Sequence, residues 1–114
     1  MNIKNDCLNF TFKRKSYNIK IEEIIYFETI NRKIILHSIN DTIEFNSTIK
    51  ELENKFKECD FVRIHRAFIV NSKYINKIFK GEAILSNGER LIVGRNYNKK
   101  VRNFIDEYKA NLNK

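Results

Sequence analysis

The side chains best equipped for catalysis or metal binding are two histidines, His37 and His65, and two cysteines, Cys7 and Cys59. Imidazole and thiolate bind zinc readily, but zinc sites usually present them in paired spacings such as C-x-x-C or H-E-x-x-H. Here each stands alone, so a site built from all four is arithmetically possible and has no spacing to support it. Glycine-rich phosphate cradles are excluded, because the chain has three glycines in all and none in a P-loop or dinucleotide pattern. No G-x-S-x-G elbow occurs, and nothing singles out a Cys–His dyad. The expectation is a protein that is not an enzyme, with no catalytic residue, no metal and no cofactor.

The basic residues say more. Lys and Arg number 22 against 14 Asp and Glu, a formal net charge of +8. Such an excess favours a polyanionic partner, either nucleic acid or an acidic membrane surface. Its distribution is uneven. Arg63, Arg66, Lys73, Lys77 and Lys80 lie between Phe61 and Gly81 with no acid among them. Arg90, Arg95, Lys99, Lys100 and Arg102 lie between Arg90 and Ile105, again with none. If these stretches share a face, that face is a footprint for phosphates. No apolar run approaches the ~20 residues that span a bilayer, and no signal-peptide core follows Met1. A cytoplasmic protein with free thiols and no membrane partner is expected.

Elements that would position these residues are mostly short strands. Leu8–Phe12, Tyr17–Ile21, Ile24–Glu28, Lys33–Ser38 and Thr42–Phe45 read as strands. They are separated by a charged turn at Lys13-Arg14-Lys15-Ser16, a break at Asn31-Arg32 and a turn at Asn40-Asp41. Thr48 with Glu51 forms a capping-box pattern before a helix whose stripe is Ile49, Leu52 and Phe56, ending near Glu58. Phe61–Arg66 and Ala67–Val70 return to strand. One helical turn at Ser72–Ile75, capped by Asn71, then short strands at Ile78–Phe79, Ala83–Leu85 and Arg90–Val93 follow. Asn87-Gly88 predicts a type I′ hairpin, since both residues tolerate positive φ. A last helix is predicted from about Asn98 to Leu112, with Val101, Phe104, Ile105, Tyr108 and Leu112 as its apolar stripe. The fold class is therefore mostly β, with one central and one C-terminal helix, in one domain over 1–114 and a core of about 8–108. A helix-turn-helix is excluded because about forty residues of strand separate the two helices.

Three stretches, in order, resemble the LytTR family: Ile24-Ile25-Tyr26-Phe27-Glu28 with Asn31-Arg32-Lys33 after it, Phe61-Val62-Arg63-Ile64-His65-Arg66-Ala67-Phe68-Ile69-Val70-Asn71, and Val93-Gly94-Arg95-Asn96-Tyr97. The resemblance implies an elongated antiparallel β fold and a DNA-binding output module of a bacterial two-component response regulator. It implies loops that enter successive major grooves at paired promoter direct repeats, with a receiver domain or a second copy on DNA as further partners. No receiver domain is expected within this chain. Arg32, Arg66 and Arg95 match the family's base-contact loops, and Asn31, Lys33, His65 and Asn96 beside them are expected as further DNA contacts. Arg forks suit guanine O6 and N7, and Asn suits adenine N6 and N7. Lys73, Lys77, Lys99, Lys100 and Arg102 are expected to meet phosphates. Gly94 and Ala67 depart from the Ser that the family often has at both places. Competing readings put Arg66 in an ion pair with Glu28 or Glu44, His65 in or near the core, and Arg63 in solvent. A LytTR-fold module that sequesters a related regulator, or an RNA-binding domain, is the alternative function.

Overall fold

In the computed structural model, which describes residues 1–113, the chain forms eleven strands and two helices. The strands are β1 (Asn2–Lys4), β2 (Cys7–Phe12), β3 (Lys15–Lys20), β4 (Ile24–Ile30), β5 (Lys33–Ser38), β6 (Thr42–Phe45), β7 (Phe61–His65), β8 (Phe68–Asn71), β9 (Ile75–Phe79), β10 (Glu82–Leu85) and β11 (Arg90–Ile92). The helices are α1 (Ile49–Phe56) and α2 (Asn98–Leu112), and single 3-10 turns occupy Ile21–Glu23, Ser72–Tyr74 and Arg95–Tyr97. Every strand pairing is antiparallel, as a mostly β chain with short connections requires. The strand β1 lies outside the expected strands, and its three residues are exposed.

The run Ile24-Ile25-Tyr26-Phe27 explains the layering. All four residues are buried, so the first half of β4 has no solvent face. It sits at the centre of a five-stranded sheet ordered β6-β5-β4-β8-β7. A bulge between Ile24 and Tyr26 shifts the alternation. On one face, Ile24, Phe27, Ile34, Leu36, Phe45, Phe61 and Ile69 pack with Leu8 and Phe10 of the β1-β2-β3 sheet and Leu52 and Phe56 of α1. Phe27, Phe56 and Phe61 meet in this core with ring centroids 4.8–6.0 Å apart. On the other face, Tyr26, Val62, Ile64 and Val70 pack with Ala83, Leu85, Leu91 and Val93 of the β9–β11 segment and Val101 and Ile105 of α2. Three layers thus share two cores, each sustained by large apolar side chains worth about 1.5–3 kcal/mol apiece on burial. The overall extents are 41 × 34 × 25 Å.

Four hairpins close with two-residue turns whose central residues both have positive φ, the type I′ geometry that matches strand twist. They are Asn5-Asp6 (53° and 62°), Lys13-Arg14 (51° and 65°), Asn31-Arg32 (49° and 66°) and Lys80-Gly81 (50° and 77°). The left-handed conformation costs a residue with an ordinary side chain about 1–2 kcal/mol. Asn87-Gly88, the expected type I′ pair, is built differently. Only Gly88 has positive φ (91°), the Gly88 N–H donates to Leu85 O at 2.9 Å, and the Leu85 N–H donates to Glu89 O at 2.9 Å. This is a three-residue loop with a terminal glycine bulge, because the ladder closes on Leu85 and Glu89 rather than on the residues flanking the pair.

The helix expectations hold with two corrections. Thr48 caps α1 by accepting from the Glu51 N–H at 3.1 Å, but the Glu51 carboxylate accepts from Ser47 Oγ at 3.0 Å and does not complete the box. The last helix buries Val101 and Ile105 while Leu112 is 65% exposed, since the layer it packs against ends before the helix does.

Candidate nucleic-acid interface

Three turns meet at one end of the central sheet. Strands β4 and β7 run toward that end, and β5 and β8 leave it. The β4–β5 turn carries Asn31 and Arg32, and the β7–β8 connection carries Arg66 between His65 and Ala67. A backbone bond from the Thr29 N–H to Ala67 O, 3.0 Å, ties the first to the second. Another, from the Gly94 N–H to Ile64 O, 2.8 Å, brings the Arg95–Tyr97 turn alongside. Arg32, Arg66, Arg95, Asn31 and Asn96 are all exposed there. None of the three arginines makes an ion pair among the described residues. Arg66 does not pair with Glu28 or Glu44, because Glu28 bonds His37 Nε2 at 2.6 Å and Glu44 bonds Lys33 Nζ at 3.3 Å. Lys33 is therefore tied down along the β5–β6 ladder, at the root of the turn.

His65 works for the turn itself. Its Nδ1 accepts the Ala67 N–H at 3.0 Å, which leaves the proton on Nε2, and its ring lies 5.3 Å from Phe68. The near-core reading of His65 thus describes its geometry. Gly94 has a packing reason. A Cβ there would sit 2.9 Å from the Tyr97 ring and 3.7 Å from His65, so a side chain would force the Tyr97 ring to move.

Arg63 corrects the solvent-facing expectation. It is a half-buried bracket on the edge strand β7. Nη2 donates to Arg66 O at 2.9 Å, Nε donates to His65 O at 3.4 Å, and Nη1 meets Glu53 Oε1 of α1 at 3.2 Å. The guanidinium also lies 5.8 Å from the Tyr97 ring centroid. One side chain thus touches two of the three arginine turns. The sequence signal for it was weak: an arginine on a strand reads as exposed unless an acid on another element is known to face it.

The phosphate candidates divide. Lys99, Lys100 and Arg102 lie exposed in the first turns of α2, next to the Arg95 turn, with Arg102 Nε bonded to Asn98 Oδ1 at 2.8 Å. Lys77 sits mid-strand on β9 with its ammonium 5.2 Å from the Phe79 ring. Lys73 is not brought to the arginine end. It follows Asn71 at the far end of β8, where it lines a cavity of about 550 Å³ with Asp6, Glu58, Asp60 and Tyr108. The Cys59 thiol in that cavity is pushed up by burial and then by Asp60, Asp6 and Glu58.

Residues 14–106 match the LytTR family, described as the LytTr DNA-binding domain. The chain belongs to the LytTR family. Among curated relatives, the transcriptional regulatory protein LytR of Staphylococcus aureus (strain MW2) is 30% identical over 103 residues, covering 86% of this chain and 39% of its own length. The sensory transduction protein LytT of Bacillus anthracis is 28% identical over 92 residues, covering 76% of this chain and 37% of its own. The chain therefore spans about two fifths of these relatives. Among solved structures, the LytTr DNA-binding domain of a Bacillus cereus protein described as a methyl-accepting/DNA response regulator superposes with a TM-score of 0.78 at 21% identity, covering 90% of this chain and 98% of that one. That likeness shows the LytTR fold, mostly antiparallel β with two helices. No helix is long and apolar enough to cross a membrane, among the described residues.

Proposed function

We propose that this LytTR domain binds double-stranded DNA sequence-specifically as part of a bacterial transcription regulator, and that it acts in the cytoplasm without enzymatic activity of its own. The observation that carries this reading is the gathering of the three arginine turns at one end of the central sheet, with the arginines exposed and in no ion pair among the described residues. In the proposal Arg32, Arg66 and Arg95 read base edges in successive major grooves, with Asn31 and Asn96 beside them. Lys99, Lys100 and Arg102 hold the backbone and carry no sequence information. His65 and Lys33 support the turns from behind. Direct repeats in a promoter, with a second copy or a receiver domain as partner, extend the same proposal.

Selection from a random duplex pool tests it: one enriched sequence is expected. On that sequence, Arg95→Ala is expected to cost about 1–3 kcal/mol of binding and to relax the preference at one position, while Lys99→Ala weakens specific and random duplexes alike. Equal loss on both duplexes for Arg95→Ala removes it as a base reader. A pool that yields no enriched sequence overturns the function and favours the sequestering module.

A further inference from the structure

Hairpin tips at the two ends of the molecule carry opposite charge. Three type I′ turns point to the arginine end, and each holds a cation in the left-handed conformation: Lys13-Arg14, Asn31-Arg32 and Lys80-Gly81. The fourth, Asn5-Asp6, lies at the opposite end, in the cavity wall with Glu22, Glu58 and Asp60. Only Arg32 has a role in the function proposed above. Lys13, Arg14 and Lys80 have none.

Their positions follow from the register. The stacking of Phe10 on Phe45, 4.5 Å between ring centroids, sets the upper half of the β2–β3 hairpin against the end of β6, where Phe45 pairs with Ile34. Cys7, at the start of β2, lines the far-end cavity with Asn71, whereas Phe10 has already reached Phe45, so β2 runs toward the arginine end and the Lys13-Arg14 tip extends beyond Phe12 in that direction. The β9–β10 tip is fixed from the other layer. The Val93 N–H donates to Gly81 O at 2.9 Å, one residue before Gly94 bonds Ile64. The two tips therefore stand on opposite faces of the central sheet, with the Arg32 and Arg66 turns between them. Stacked sheets are ~10 Å apart, so three layers place the outer tips about 20 Å from one another, within the ~34 Å of one duplex turn.

Lys13, Arg14 and Lys80 are exposed. No carboxylate pairs with these cations among the described residues, and the Lys13 and Lys80 ammonium groups lie 5.4 and 5.3 Å from the neighbouring Phe12 and Phe79 rings, contacts that leave them open to a phosphate. Glu44, which lines the groove beneath Lys13 and Lys15, is bonded to Lys33. Asn or Gly would relieve the left-handed backbone at these positions, yet Lys and Arg occupy them. Residues held in such conformations against their preference are a pointer to function.

We infer that the Lys13-Arg14 and Lys80 tips are outer clamps on the DNA backbone. They grip phosphates on either side of the three central loops and widen the contact without reading sequence. This rests on the duplex-binding function proposed above.

The test removes charge while keeping the turn. Lys13→Asn/Arg14→Gly and Lys80→Asn both install the Asn-Gly pair that type I′ turns favour, so thermal unfolding is expected at or above the temperature of the unsubstituted protein. Binding is measured to the selected duplex and to a random one across a salt series. The slope of log K against log salt is expected to become shallower by about 2 for the double variant and about 1 for Lys80→Asn. Affinity falls several-fold, by the same factor on both duplexes, and Lys80→Arg retains it. If both variants keep the original slope and affinity while Arg95→Ala loses specific binding, the clamps are refuted and the function stands. If the unsubstituted protein selects no duplex, the function falls and the clamps with it.

Discussion

Arg63 shows how one residue can brace two of the turns in the proposed interface at once. Its three donors reach two consecutive carbonyls of the Arg66 turn and a carboxylate on α1. The planar fork holds these directions at once, which a lysine ammonium does not. Removing the guanidinium leaves the carbonyls of His65 and Arg66 to water and frees the turn between them. Arg63→Met is expected to destabilise the fold by about 1 kcal/mol, the scale of one or two partly exposed charge-assisted bonds. Glu53→Gln, which spares the carbonyl bonds, should cost less, and Arg63→Lys should not restore stability. Urea unfolding of the three variants checks the order. Equal losses for Arg63→Met and Glu53→Gln would mean that the ion pair alone matters and that Arg63 does not shape the turn.

At the scale of elements, the question is what joins them. Asn71 stands at the junction of β8 and the Ser72–Tyr74 turn, almost fully buried. Its Oδ1 accepts the Lys73 N–H at 3.1 Å and its Nδ2 donates to Ile24 O at 3.0 Å, so one amide caps a turn and satisfies the first residue of β4. Asn71→Ala removes the cap and strands a buried carbonyl, and is expected to cost about 2–3 kcal/mol by urea denaturation. Asn71→Asp keeps the cap but sets a buried carboxylate oxygen against Ile24 O, and should cost at least as much. The capping half of this was legible, because Asn before a short helical signal has one common use. The bond to Ile24 was not, since it spans 47 positions of sequence. Strands and helices were legible for the same local reason: alternation at Tyr17–Ile21, an unbroken apolar run at Ile24–Phe27, and a stripe over Val101 and Ile105 each report burial directly. Turn types were not. Lys13-Arg14 carries no sign of left-handed backbone, and Asn87-Gly88 carries a strong sign for a turn that the ladder closes one residue wider. Of the proposed site, the three arginines were singled out through the motif, while their shared location depends on the two backbone bonds from Thr29 and Gly94.

The whole molecule is three layers held by one sheet, and tyrosines fasten the layers to each other. Tyr26 is buried in the central sheet and donates its hydroxyl to Glu89 Oε2 at 3.0 Å, in the loop between β10 and β11. Tyr74 donates to Glu22 O ahead of β4, and Tyr108 faces the cavity that holds Asp60. Burial first, and nearby carboxylates after it, hold all three phenols above their ordinary range, Tyr26 most of all. The consequence for stability has a definite sign. A phenol raised in the folded state stays protonated after its unfolded counterpart has ionised, at about pH 10. The stabilisation is thus complete below pH 10 and is lost as pH climbs toward the folded values, because only the unfolded chain gains by releasing protons. Urea unfolding at a series of pH values should show stability level through neutrality and falling above about pH 10. Lysine deprotonation in the same range changes the net charge and complicates that curve, so the informative quantity is the difference from Tyr26→Phe. At pH 7 the variant loses one hydrogen bond to a partly exposed carboxylate, about 0.5–1.5 kcal/mol. Above pH 10 it lacks the largest of the three ionisation penalties while keeping every lysine. The gap between the two proteins should therefore narrow as pH rises. A gap that stays constant from pH 7 to 11 would show that Tyr26 ionises as freely in the folded protein as in the unfolded one, and that its contact with Glu89 does not hold the layers together.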